Sequence, residues 1–176
     1  RSWRIVDSCV IPYEDINDYS IDKSLKYLAI GCGKTFPQEE NNNRICIWDL
    51  NNREEIVSKS NLSESVNRIT ISPDGKKIAF SHFSDPNIYV ANTTDLVISD
   101  TLIGHTETIR SLNFSPSNPN ELLSGSYDKT VKNWKITSQE HDDIPIPSMG
   151  ESWPYCLSYS NDGSMFVGGL WEKLYV

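Results

Sequence analysis

A serine followed by a tight turn recurs along this chain, and the recurrence restricts it to architectures assembled from copies of one unit. Ser72-Pro73-Asp74-Gly75-Lys76 precedes Ser115-Pro116 by 43 residues, and Ser160-Asn161-Asp162-Gly163-Ser164 follows 45 residues later. Ser20-Ile21-Asp22-Lys23-Ser24 stands 52 residues before Ser72. An apolar stretch follows each anchor: Tyr27-Leu28-Ala29-Ile30, Ile78-Ala79-Phe80, Leu122-Leu123 and Met165-Phe166-Val167. Asp-Gly supplies the positive φ that a strand-to-strand turn demands, and a preceding proline presets the entry angle. Period-two alternation places Ile109, Leu112 and Phe114 against adjacent sheets, with a bulge in that strand. No segment carries a sustained 3.6-residue apolar stripe, so very little helix is expected.

The fullest copy of the unit runs from Gly104 to Lys135. It opens with Gly104-His105, passes through the Phe114-Ser115-Pro116 anchor and a strand from Leu122 to Ser126, turns at Asp128-Lys129, and ends a third strand in Trp134. In this order and spacing the features resemble one complete repeat of the WD-repeat family, whose unit is a four-stranded propeller blade. The resemblance implies an all-β fold of antiparallel four-stranded blades. Residues 104–150 read as a complete blade, with Lys135 where the family's terminal Asp is expected. Residues 11–61 end their third strand in Trp48-Asp49 and carry a polar insert, KTFPQEENNN, between Lys34 and Asn43. Residues 62–103 form a degenerate blade: Ala91-Asn92 occupies the Trp-Asp position, although Asp85 keeps the turn position six residues earlier. Residues 1–10 read as the outer strand of a preceding blade and 151–176 as a truncated one. A seven-bladed ring needs roughly 300 residues at this period. Residues 1–176 are therefore expected to form an incomplete ring, about four blades of a larger propeller.

Four groups resemble chemical sites. His105, Ser126, Asp128 and Trp134 invite a Ser-His-Asp catalytic reading, but the resemblance assigns them to a structural tetrad in which Asp orients His, His meets Ser, and Ser meets the indole N–H. A closed chain of buried partners stabilises a blade without chemistry, and Ser124 lies on the same strand face as an alternative to Ser126. Gly31-Cys32-Gly33-Lys34-Thr35 lacks the earlier glycine of a phosphate loop and leads into Phe36-Pro37 instead of a helix. His141-Asp142-Asp143 is unsupported by a second His or Cys pair and reads as a solvated loop. The fourth group is a set of strand-start and turn residues: Tyr13, Asp15, Asn67, Thr108, Arg110, Tyr127, Trp153, Tyr155 and Trp171. WD-repeat domains bind partners on the face where first strands begin and where the turns between second and third strands emerge. Tyr, Trp and Arg are enriched at interface hot spots, and the competing reading is that these aromatics pack between blades.

A net charge of −8 argues against nonspecific phosphate binding. The four cysteines, Cys9, Cys32, Cys46 and Cys156, contain no C-x-x-C pair and fit a reducing compartment. No apolar run has the length of a membrane span. The expected function is a non-catalytic scaffold, intracellular in the cytoplasm or nucleus, that holds a protein or peptide segment on its upper face as part of a multiprotein complex. No cofactor, metal, nucleic acid or membrane is expected. The alternative is a sensory or regulatory propeller fused to a catalytic domain outside residues 1–176.

Overall fold

Extended strands joined by tight turns account for all regular structure in the computed structural model, which describes residues 15–34, 42–145, 153–169 and the backbone of 174–175. The first sheet contains β1 (Ile16–Ile21), β2 (Tyr27–Cys32), β3 (Arg44–Asp49) and β4 (Glu54–Ser60). The second contains β5 (Val66–Ile71), β6 (Lys77–His82), β7 (Ile88–Asn92) and β8 (Ile98–Leu102). The third contains β9 (Ile109–Phe114), β10 (Glu121–Ser126), β11 (Val131–Lys135) and β12 (Glu140–Ile144). The last contains β13 (Cys156–Tyr159), β14 (Phe166–Gly169) and β15 (Leu174–Tyr175). Each sheet is an antiparallel meander in chain order. Successive sheets meet chiefly through their first strands, β1 on β5, β5 on β9 and β9 on β13, so these strands line the inside of an arc that does not close into a ring. The segments 1–10 and 35–41, including Glu39 and Glu40 of the insert, lie outside the described residues.

Apolar side chains fill the spaces between sheets. Ile45 and Ile47 of the first sheet pack with Val66, Ile69, Ile71, Ile78 and Phe80 of the second. Ala79, Ile88, Val90 and Leu102 pack with Ile109, Leu112, Phe114, Leu122 and Trp134 of the third. Leu123 and Val131 meet Leu157 of the last. Each sheet is thus buried on faces that no single unit can cover alone, which is why the sequence repeats. Of the described cysteines, Cys32 and Cys46 are buried, and burial raises both thiols, Cys46 to about 12; Cys156 is exposed.

The anchor turns explain the recurring serine. The hydroxyls of Ser72 and Ser160 accept from the backbone N–H of Lys77 and Met165, each at 3.0 Å, and donate at 2.6 Å to Asp74 and Asp162. In the first sheet this position belongs to Asp22, not Ser20. The Asp22 carboxylate accepts from Tyr27 N at 2.6 Å and Lys26 N at 2.8 Å, and its backbone N–H bonds Tyr27 O as Ser72 N bonds Lys77 O. A carboxylate and a hydroxyl are interchangeable as acceptors here. With Asp22 as anchor the first interval becomes 50 residues, and Ser20 moves onto β1.

That register exposes polar stitches between neighbouring sheets. Four residues before each anchor, Asp18 accepts from Ile69 N at 2.9 Å, Arg68 Nε donates to Arg110 O at 2.7 Å, and Ser111 Oγ accepts from Leu157 N at 2.8 Å. Two before, Ser20 Oγ accepts from Ile71 N at 3.1 Å and Asn113 Nδ2 donates to Leu157 O at 2.8 Å. Five before, Asn17 Nδ2 bonds Val66 O at 2.9 Å and Asn67 Nδ2 bonds Ile109 O at 2.6 Å. These bonds use backbone groups on inner strands that face another sheet, where an unpaired donor or acceptor is costly.

Three anchor turns need the left-handed region at their fourth residue: Gly75 at φ 69°, Gly163 at φ 75°, and Leu25 at φ 59°. For a residue with a Cβ this conformation costs roughly 1–2 kcal/mol. Because Leu25 is exposed, Leu25→Gly loses little packing and is expected to stabilise the fold by about 1 kcal/mol. A urea titration checks this: the midpoint should rise at unchanged slope, and an unchanged or lower midpoint would show that the turn is unstrained.

Candidate functional site

Antiparallel pairing brings two kinds of loop to the same end of each sheet. Ser126, the last residue of β10, pairs with Ile109, the first of β9. The turn from residue 127 to 130 therefore emerges beside the start of β9, and in the other sheets Ile16 pairs with Cys32, Val66 with His82 and Cys156 with Gly169 in the same way. On this face of the third sheet lies the tetrad, and beside it an aromatic cluster reaching the last sheet.

His105 Nδ1 lies 2.7 Å from Asp128 Oδ2, its Nε2 lies 2.7 Å from Ser124 Oγ, and Trp134 Nε1 donates to Ser124 Oγ at 2.7 Å. The indole can only donate, so Ser124 accepts from it and keeps its own proton for His105 Nε2. The imidazole then donates from Nδ1 to Asp128. Ser124, not Ser126, is the tetrad serine. Ser126 Oγ donates instead to Glu107 O at 2.8 Å and accepts from Asp128 N at 3.1 Å. A register shift between Gly125 and Ser126 turns that hydroxyl toward the loop. The hydroxyl of Ser124 is held between indole and imidazole at zero exposure, which leaves it no path to a substrate.

Burial pushes the Asp128 carboxyl up, but hydrogen bonds from His105, Thr130 and the Thr106 N–H outweigh it and hold the group well below the usual carboxylate range. A depressed folded-state value adds stability above the unfolded pKa of about 3.9 and forfeits it as pH falls through the folded value. Wild type should therefore exceed Asp128→Asn in stability by its largest margin near neutrality, and the gap should narrow as pH falls below about 4. Denaturant titrations across that range check this; a gap constant with pH would remove the carboxylate from the argument.

The aromatic cluster centres on Arg110 of β9. Its guanidinium lies 5.0 Å from the Tyr127 ring centre and 5.7 Å from that of Tyr155. Trp153 meets Tyr127 edge-on at 5.2 Å and Tyr155 at 6.2 Å. All four side chains are half-buried. Arg110 Nε and Trp153 Nε1 have no hydrogen-bond acceptor among the described residues. Arg68, which the sequence reading passed over, extends the cluster: its backbone-bonded guanidinium faces Asp18, Arg110 and Tyr127 from β5, and burial lowers its pKa. The repeated position four before each anchor is the signal that would have found it.

The remaining sequence-derived positions do not join this cluster. Asn67 is fully buried and holds Ile109 O, so it presents no side chain to a partner. Thr108 Oγ1 donates to Phe83 O at 2.9 Å. Asp15 is exposed and pairs with Lys34 at 3.7 Å. Tyr13 and Trp171 lie outside the described residues. His141 packs on Trp134 at 4.7 Å, while Asp142 and Asp143 pair with Lys135 and Lys132. Among the described residues no group of three or more His, Cys, Asp or Glu is placed to hold a metal, and no helix is long and apolar enough to cross a membrane.

Comparison with known proteins agrees with this geometry. A family model described as WD domain, G-beta repeat matches residues 97–135. The match begins at the outer strand β8 and ends with β11, so the sequence unit straddles two sheets and ties them together. The chain is 27% identical over 98% of its length to the ribosome biogenesis protein YTM1 of Scheffersomyces stipitis, and 26% identical over 82% of its length to an uncharacterized WD repeat-containing protein of Synechocystis. It is 35% identical over 48% of its length to the small ribosomal subunit protein RACK1 of Candida albicans. It spans 36%, 38% and 28% of those three proteins. Meandering four-stranded sheets stacked in an arc, an Asp–His–Ser–Trp hydrogen-bond chain in the third sheet, and these similarities together show a WD repeat at residues 97–135 in a chain that is similar to WD-repeat proteins.

Proposed function

We propose that this chain contributes a non-catalytic scaffold surface that holds a segment of another protein on the face carrying Arg110, Tyr127, Trp153 and Tyr155. One observation carries the proposal: a guanidinium stacked between two tyrosine rings, with a tryptophan closing the group, on the rim where the first strands begin. Arg, Tyr and Trp contribute most to interface energy because they bury large rigid area while keeping a polar end. The charge and flat fork of the Arg110 guanidinium favour a segment that brings carboxylate or carbonyl oxygens, while its Nε and the Trp153 Nε1 are buried within the cluster. Catalysis has no support in the tetrad, whose hydroxyl, imidazole and carboxylate are consumed in bonding one another. A net charge of −8 favours protein over nucleic acid as partner. Two of the relatives are named for ribosome biogenesis and the small ribosomal subunit; from these we carry over only work inside an intracellular multiprotein assembly.

The test is affinity capture from cell extract with the full-length protein and its Trp153→Ala/Tyr155→Ala variant, using circular dichroism to establish that both are folded. Partners recovered by wild type and lost by the variant support this face. Identical recovery would place the contact elsewhere and leave the aromatics as packing.

A further inference from the structure

The second sheet lacks the tetrad, and what replaces it leaves a space. Superimposing the registers, Ala91 pairs with Ile78 as Trp134 pairs with Leu122, and Phe80 pairs with Ile69 as Ser124 pairs with Leu112. Leu62 stands ten residues before its anchor, as His105 does. Leucine and imidazole are similar in bulk, and Phe80, larger than the serine it replaces, takes up part of the space, but alanine leaves the rest of an indole's volume unfilled. Between the first and second sheets there is accordingly a cavity of about 250 Å³ lined by Ile45, Leu62, Ile78, Phe80, Tyr89 and Ala91. Its counterpart between the second and third sheets is filled by Trp134, at zero exposure.

Two further differences give the cavity a mouth and a polar group. Lys59, paired with Ile45, stands where Leu102, paired with Ile88, seals the next junction. Lys59 is exposed whereas Leu102 is fully buried, so the cavity opens to solvent. Asp85 lines it from the turn that Asp128 occupies in the third sheet. From described residues Asp85 accepts bonds from the Tyr89 hydroxyl and from Asn87 N at 2.9 Å, whereas Asp128 also accepts from an imidazole. The ring that would donate to it is missing.

We propose that this cavity is a binding site for an indole: a planar bicyclic aromatic ring inserted beside Phe80 and Ala91, with its N–H donating to Asp85. An engineered apolar cavity of about 150 Å³ takes benzene, so a larger one accommodates a fused second ring. Phe80 and Tyr89, stacked with ring centres 5.5 Å apart, supply aromatic walls. Lys59 and Glu64 at the lining supply water-facing groups for whatever the ring carries. The indole arrives either as a small molecule or as a tryptophan side chain of a protein.

The experiment titrates the full-length protein with free indole, with N-acetyltryptophanamide and with indene, a ring of the same shape lacking the N–H, by calorimetry and by amide NMR. Saturable one-to-one binding of indole, with shifts confined to Phe80, Tyr89, Ala91 and their neighbours, is expected, and indene should bind about tenfold more weakly. Binding of N-acetyltryptophanamide as well would assign the site to a protein-borne tryptophan; binding of indole alone would assign it to a small molecule. Ala91→Trp should raise the melting midpoint without ligand and abolish indole binding, and Ala91→Leu should weaken it. No saturable indole binding in the millimolar range, shifts mapping elsewhere, or undiminished binding by a folded Ala91 variant would each overturn the proposal.

Discussion

Trp134→Ala is expected to destabilise the fold by about 3–5 kcal/mol, the largest effect of any single substitution considered for this chain. Its ring is fully buried among Leu102, Ile109, Leu122 and Ile136, packs edge-on against His105 at 5.9 Å, and gives its N–H to Ser124. Removal opens a cavity between two sheets and leaves Ser124 Oγ without its donor, so the packing and hydrogen-bond losses add. Trp134→Phe separates the two, since it retains most of the ring and deletes the N–H; its cost should fall to about 1–2 kcal/mol. Ser124→Ala should cost about 1–3 kcal/mol by stranding both the indole and the imidazole, whereas Ser126→Ala loses only loop bonds and should cost less. Equilibrium unfolding of the four variants reads this order directly. Equal costs for the two serine variants would contradict the geometry of the tetrad.

That comparison also shows where sequence reasoning stopped. His105, Asp128 and Trp134 were legible because each is the one residue of its type at a fixed distance from the anchor. The serine was not, because Ser124 and Ser126 share a strand face under period-two alternation and only the register shift after Gly125 separates them. Ser20 was mistaken for an anchor because it resembles Ser72, while Asp22 performs the same hydrogen bonding with a different functional group. The error displaced the first sheet's rim positions by two residues, from Asp15 and Asn17 to Tyr13 and Asp15. Asn67 looked like a rim residue because it stands five before its anchor, as Arg110 does; its amide is spent on the backbone of the next sheet. The stitches formed by Asp18, Arg68 and Ser111 share no residue type, so only the register of neighbouring sheets makes them a series. The scarcity of helix, by contrast, followed from the turns and the apolar period, and the stacked four-stranded meanders from the resemblance that residues 104–135 carry.

Arg110→Ala should weaken capture of the protein partner about thirtyfold, a loss of about 2 kcal/mol, while leaving the fold intact. The guanidinium is held by the faces of Tyr127 and Tyr155 at 5.0 and 5.7 Å, so its orientation is set before a partner arrives and less rotamer freedom is lost on binding. Its flat fork matches a carboxylate in two places, which an ammonium does not, so Arg110→Lys should recover little of the lost affinity despite keeping the charge. The two variants differ in kinetics. Arg110→Lys should preserve the association rate and its salt dependence and show its loss in faster dissociation, whereas Arg110→Ala should change both rates. Surface plasmon resonance at two ionic strengths, on the partner captured by wild type, measures these quantities. Full affinity in a folded Arg110→Ala variant would mean that the guanidinium serves only to pack the two tyrosines, and the binding face would have to be sought on another part of the rim.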